Sequence, residues 1–296
     1  MPDDSRLDPN LATEAYDDTE YDTIQVERVG RVGIVRYNRP DVLNAMNQTM
    51  YAEWIEAYDK FNADPSIGAV VTTGNGRAYS AGADVGGFES TFTGAQMPKQ
   101  KVAPHAPFDP WYMAQGKPAI AAVNGVAIGI GFTSILWHDI ILASTEARFS
   151  ARFAAIGLTP ELNSAWMLPK IIGVQRSKEM ILTGRIWTAE ETRDIGLVRH
   201  VFEPDQLLPQ AVRLGAEIAN NPARTLGVIK RHLWEDLLST DLSTIEKRSS
   251  ENFADARKTA EHREALYAIR DRRPPRYHDE EYMAELAEKV ARGEAK

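Results

Sequence analysis

Apolar and polar residues alternate through TIQVERVGRVGIVRYN, residues 23–38, with the two-residue period of a strand that buries one face. Gly30 interrupts the alternation where the chain can turn, so the stretch predicts a β-hairpin. The period then changes. Through residues 39–64, Met46, Met50, Trp54 and Tyr58 recur every fourth position and fall on one face of a predicted helix. IGAVVTTG (67–74) and PAIAAVNG (118–125) are short apolar runs, the mark of strands covered on both faces. Each ends in a glycine-containing loop that leads towards helical sequence, and repeated strand–loop–helix order predicts an α/β architecture. From about Asp205 the pattern is almost purely helical, until DRRPPRYHDE (271–280) breaks it. The expected organisation is an acidic flexible tail over 1–22, a core over 23–204 and a helical region over 205–296. No repeat of fixed period is visible.

Composition narrows the function classes. The chain has 296 residues, long enough for a full core, with 43% hydrophobic and 26% charged residues. A net charge of −8 with no basic tract argues against a nucleic-acid partner. The absence of cysteine excludes disulfides, thiolate catalysis and cysteine metal sites. The acidic N-terminus lacks the features of a secretory or transit segment. The longest apolar run, near Ala119–Ala143, is broken by Asn124, His138 and Asp139, so no membrane span is expected. GEAK at the C-terminus is not a peroxisomal address, and a cytoplasmic location is expected.

Three places carry candidate chemistry. Two glycine-containing loops, Gly76–Gly87 and Asn124–Ser134, follow the two buried strands. Side by side, they could aim two backbone N–H groups at one oxygen; equally, their glycines could serve tight turns and close packing. GIGFTS offers two glycines of a dinucleotide fingerprint, but Ser134 stands where the third belongs. The six histidines are scattered without metal-ligand spacing, and His138 reads as a packed residue. The third place is GLTPELNSAWMLPK, where Glu161 is a lone acid in a mostly apolar stretch. Thr159 as cap and Pro160 in the first turn would make Glu161 a helix-dipole partner. It could also be a proton-moving group.

In combination, YNRPDVLNAM, RAYSAGADV, KPAIAAVNGVAIGIG, DIILAS, ARFSARFAAIGLTPE and ILTGRIWTAEETRDIGLVRHVF resemble the crotonase, or enoyl-CoA hydratase/isomerase, superfamily. The resemblance implies a spiral of β-β-α units with a helical C-terminal region that forms trimers or dimers of trimers. It also implies an acyl-CoA thioester as substrate, with no separate cofactor. It puts the oxyanion donors at the backbone N–H groups of Ala83 and Ile130, with Gly129 beside the latter. It puts Ala81, Asp84 and Val85 along the CoA channel, and Asn44 and Ala45 near its nucleotide end. Arg272 or Arg273 would meet CoA phosphates, within one subunit or across a subunit boundary. The Pro-rich, irregular segment 89–113 is expected to cover the acyl pocket, with Trp111, Tyr112 and Phe132 as pocket walls or, equally, simple core.

Hydratases of this family use two glutamates, whose positions fall here on Thr133 and Phe153. Adding water usually shares its proton transfers between two carboxylates, so the resemblance points away from ordinary hydration. The chain looks instead like peroxisomal-type Δ3,Δ2-enoyl-CoA isomerases, whose single acid lies in S-P-E-x-x-S-S, matched by TPELNS with Glu161. The implied activity is 3-enoyl-CoA to 2-enoyl-CoA isomerisation. The alternatives are a hydratase or thioester hydrolase, or a non-catalytic acyl-CoA binder.

Overall fold

The computed structural model describes residues 11–84 and 110–294. Eleven strands form two sheets among them. The larger contains β1 (Glu14–Ala15), β2 (Ile24–Val29), β3 (Val32–Tyr37), β4 (Ala69–Gly74), β6 (Ala119–Val123), β8 (Ile140–Ser144) and β11 (His200–Phe202), in that spatial order. The smaller has the order β10 (Trp187–Thr188), β9 (Arg148–Ser150), β7 (Val126–Ile128) and β5 (Ala78–Ser80). The chain commutes between them: β4 and β5, β6 and β7, and β8 and β9 each give one strand to either sheet. This is the expected spiral.

The hairpin forms as the alternation predicts, with β2 and β3 antiparallel and Gly30 at φ +55° in the turn. From β3 through β4, β6, β8 and β11 the large sheet is parallel. Both of its faces are covered. Val32, Ile34, Val71, Ile120, Ala122 and Leu142 pack against Leu207, Ala211 and Val212 of the helix Pro204–Ala219. Val35, Tyr37, Val70, Ala121 and Ala143 face the main core with Trp54, Phe61 and Trp137. Double coverage explains why AVVTTG is buried at all six positions and reads as a continuous run.

Helix α1 (Gln48–Ala63) buries Met50, Trp54 and Tyr58, and Asn47 caps it by accepting from the Met50 N–H at 2.8 Å. Met46 falls outside the helix. It forms an isolated parallel bridge with Ala83 instead. The buried Glu53 of α1 accepts hydrogen bonds from Asp22 N (3.0 Å) and Thr23 N (2.9 Å), tying the start of β2 to the helix. Part of the expected tail is therefore docked: Glu14 and Ala15 pair with β2, and Tyr16 stands edge-on to Phe61 at 4.7 Å. Residues 1–10 lie outside the described residues.

The two glycine-containing loops are not continuous loops. Each contains a three-residue strand of the smaller sheet, β5 in the first and β7 in the second. From Pro204 onward the chain is helical, and it breaks after Asp271 as the sequence predicts. Among the described residues no helix is long and apolar enough to cross a membrane.

Candidate active site

Strands β5, β7 and β9 run parallel, so their C-terminal ends lie along one edge of the smaller sheet. Ala81–Ala83 follow β5, Gly129–Ile130 follow β7, and Ala151–Phe153 follow β9. All of these but Ala151, with Ile156, Leu158, Thr159 and Glu161, line a cavity of about 450 Å³. Ligands of α/β proteins commonly bind beyond the carboxyl ends of parallel strands. A larger cavity of about 950 Å³ lies elsewhere, between Leu136, Met167, Leu197 and the helical region, and touches neither glycine segment nor Glu161. Its size does not outweigh the chemistry gathered in the smaller one.

Backbone bonding aims the two candidate donors. Met46 N donates to Gly82 O at 2.8 Å, and Asp84 N donates to Met46 O at 2.9 Å. In a parallel bridge the peptide groups flanking a residue pair with the partner, so Ala83's own N–H points to the opposite side. It has no acceptor among the described residues, and neither has the N–H of Ile130, which opens the short helical turn Ile130–Thr133. Gly129 reaches that turn at φ +56° and ψ −125°, a conformation that glycine tolerates and side chains do not. Gly131 permits the close approach of the two segments, since a Cβ there would meet Ser80 O at 2.3 Å.

Glu161 does not sit in the first turn of a helix. The helix begins at Ser164, and Leu158–Glu161 form an irregular segment before it, so Thr159 is not its cap. Two consecutive left-handed residues, Leu162 (φ +49°) and Asn163 (φ +55°), separate the acid from the helix. Such conformations cost roughly 1–3 kcal/mol each outside glycine. The buried Trp137 holds the turn in place, donating from Nε1 to Leu162 O at 2.9 Å. Glu161 remains accessible to solvent, yet desolvation by the surrounding protein raises its carboxyl above the ordinary value. The dipole that would have lowered it is absent from this geometry. Tyr51, on α1, is raised by burial and then by the negative charge of Glu161, which puts the phenol near the acid.

Of the residues expected from the sequence, Ala81, Ala83, Gly129, Ile130 and Glu161 line one cavity. Phe153, expected at a lost acid position, lines it too; Thr133 is buried, with its hydroxyl unpartnered. Asn44 is fully buried, and its amide is committed to Arg39 N (2.8 Å), Asn75 O (3.0 Å) and Ala78 O (2.7 Å). Ala45 and Asp84 are joined by Arg39, whose Nη1 donates to Ala45 O at 2.6 Å and Asp84 Oδ2 at 2.9 Å. Phe132 is buried in the core rather than in the cavity wall. Tyr112 packs on Trp54 and Tyr58 and donates to Asp59 at 2.8 Å. Val85 and the side chain of Trp111 lie outside the described residues, as does most of segment 89–113.

Arg272 and Arg273 do not line the cavity. Arg272 ends the helix Ala260–Asp271 in the left-handed region, and Arg273 pairs with Glu264. His138 is buried with Nε2 2.9 Å from Thr72 Oγ1, and its pKa falls to about 3 through burial and the nearby Lys230 charge. It is a packed residue, as its sequence context suggests. The sequence reading missed Arg39, Tyr51 and Arg152. Only Arg152 had a usable signal, a cation in ARFSARFAAIGL close ahead of Glu161.

The sequence model of the enoyl-CoA hydratase/isomerase family matches residues 27–280. A probable enoyl-CoA hydratase of Rhizobium meliloti is 35% identical over 211 residues, covering 68% of this chain and 76% of that protein. The 1,2-epoxyphenylacetyl-CoA isomerase of Escherichia coli is 30% identical over 246 residues, covering 81% and 92%. The crystal structure of a probable enoyl-CoA hydratase/isomerase from Mycobacterium abscessus superposes with a TM-score of 0.75. It has 27% identity and covers 87% of this chain and 99% of that one.

Proposed function

The chain belongs to the enoyl-CoA hydratase/isomerase family, and from that premise we propose that it isomerises 3-enoyl-CoA thioesters to 2-enoyl-CoA thioesters. One observation carries the proposal. Among the described residues, Glu161 is the only carboxylate lining the cavity that also receives the Ala83 and Ile130 segments.

The thioester carbonyl accepts hydrogen bonds from the N–H groups of Ala83 and Ile130. The Glu161 carboxylate removes a proton from C2, and the electrons of that C–H bond form the C1–C2 double bond of a dienolate. Its negative charge rests on the carbonyl oxygen between the two donors; losing one such donor typically costs about 10²–10³ in rate. Protonated Glu161 then delivers the same proton to C4, the C2–C3 double bond forms, and the carbonyl is restored. One proton moves and no electrons are gained or lost, so this chemistry calls for no cofactor beyond the thioester. The raised carboxyl of Glu161 suits a group that must both take and return a proton.

The second reading is hydration of 2-enoyl thioesters, favoured by relatives that bear the hydratase name. It would need a second proton-transfer group where Thr133 and Phe153 stand. The decisive experiment compares wild-type protein and Glu161→Gln on a 3-enoyl-CoA and a 2-enoyl-CoA, with products identified. Isomerisation of the 3-enoyl thioester should fall by about 10²–10⁴-fold in the variant. Near-normal isomerisation by the variant would sink the assignment. So would a wild-type protein that hydrates the 2-enoyl substrate and returns the 3-enoyl one unchanged.

The proposed assembly is a trimer or dimer of trimers. Support comes from large apolar side chains left exposed on the C-terminal helices, among them Leu233, Leu242, Phe253 and Ile269.

A further inference from the structure

Among the described residues, the cavity that holds Glu161 also holds one cation. Arg152 leaves β9 two residues beyond Ser150 and lines the same space as Ile130, Phe153, Ile156 and Leu158. It is exposed, and no acid pairs with it among the described residues. Arg39 pairs with Asp84, Arg185 with Glu191 and Arg273 with Glu264, but none of these lines the cavity. A guanidinium left without an anion in a largely apolar cavity is suited to receive one from a ligand, because its planar donor fork matches a carboxylate.

Strand order says which end of the ligand it meets. In the smaller sheet β7 lies between β5 and β9. The Ala81–Asp84 segment and its Arg39 contact leave the β5 side, and Arg152 leaves the β9 side. A thioester carbonyl held between the N–H groups of Ala83 and Ile130 with CoA towards the β5 side would run its acyl chain past Phe153 and Ile156 towards Arg152.

We propose that Arg152 is a specificity-determining residue that anchors a carboxylate at the far end of the acyl group. The preferred substrates are then mono-CoA thioesters of unsaturated dicarboxylic acids. This rests on the acyl-CoA reading above, but not on the isomerase step.

Saturated thioesters test it without any turnover. Calorimetric titration of adipoyl-CoA (monothioester), hexanoyl-CoA and CoA alone into wild-type, Arg152→Met and Arg152→Lys proteins separates the sources of negative charge. Wild-type protein should bind adipoyl-CoA more tightly than hexanoyl-CoA. Arg152→Met should reduce that affinity ratio by about tenfold or more, the usual scale of a charge-assisted pair, and Arg152→Lys by less. An unchanged ratio in Arg152→Met would overturn the proposal and leave Arg152 a solvent-facing cation. Equal weakening of all three ligands, CoA included, would also overturn it and assign the contact to a CoA phosphate. Neither result depends on whether Glu161 proves to be the isomerase acid.

Discussion

The backbone of Met46 brackets Ala83: Met46 N–H bonds to the carbonyl before it at 2.8 Å, and Met46 C=O to the amide after it at 2.9 Å. Sixteen residues of α1 follow Met46, capped by Asn47 and anchored by Met50, Trp54 and Tyr58 in the core. The direction of the Ala83 N–H is therefore set by a rigid element and not by the glycine-rich segment itself. A donor fixed in advance of reaction pays no reorganisation when the oxyanion forms.

The other donor is held by close contact. Gly131→Ala would place a Cβ 2.3 Å from Ser80 O, and relief requires the Ile130 turn to move away from β5. A displacement near 1 Å in such a site typically costs about 10²-fold in rate. The expected result is a large fall in kcat with a smaller change in KM, checked by steady-state kinetics on a 3-enoyl-CoA. Unaltered kcat would show that Ile130 is not a donor.

The pH dependence has a definite sign. Glu161 acts as a base when ionised, and desolvation raises its pKa above the ordinary carboxylate value. The rate should rise with pH through that raised value, and the limb should be missing from any residual activity of Glu161→Gln. Stability moves the other way. A carboxyl that holds its proton more tightly when folded weakens the fold as pH climbs from the ordinary value through the raised one. Urea midpoints should therefore favour Glu161→Gln over wild type at neutral pH and converge with it below the ordinary carboxylate range.

Trp137 supports the Glu161 segment from beneath. Trp137→Phe removes the Nε1 donor to Leu162 O and alters the stack on Trp234, whose ring centre is 5.3 Å away. Losing the bond to this half-buried carbonyl costs about 1 kcal/mol. The loss should appear as a lower denaturation midpoint together with reduced kcat, because the left-handed pair at Leu162 and Asn163 loses its tether. A variant that is less stable but catalyses at the wild-type rate would argue that the tether is structural alone.

Glu264 governs the C-terminal break. Its buried carboxylate accepts from Arg273 Nη2 (2.9 Å), Arg276 N (2.7 Å) and Tyr282 Oη (2.6 Å). These partners, Arg273 first, hold its pKa down at about 2. A depressed carboxyl stabilises the fold fully above its unfolded value, and that contribution fades as pH falls towards about 2. Glu264→Gln should lower the unfolding midpoint at neutral pH, with the difference from wild type shrinking in acid. A pH-independent difference would contradict this origin.

Local periodicity alone determined much of this protein. The hairpin, helix α1, the buried strands β4 and β6 and the late helical region follow from which side chains must leave water along one element. The family resemblance carried by RAYSAGADV, GVAIGIG and TPELNS named Ala83, Ile130 and Glu161, which line one cavity. Tertiary structure decided the rest, because the deciding contacts join residues far apart in the chain. Strands β5, β7 and β9 are three residues each, too short to show a period, and exist because they pair with one another. The start signals at Thr159 and Pro160 were overridden by Trp137, reaching across 25 positions to Leu162, so Glu161 lies before a helix that begins at Ser164. Arg273 pairs with Glu264 away from the cavity, while Arg152 came to the cavity because β9 ends beside β7. Sequence set which residues could do the chemistry; the pairing of distant segments set which of them share one space.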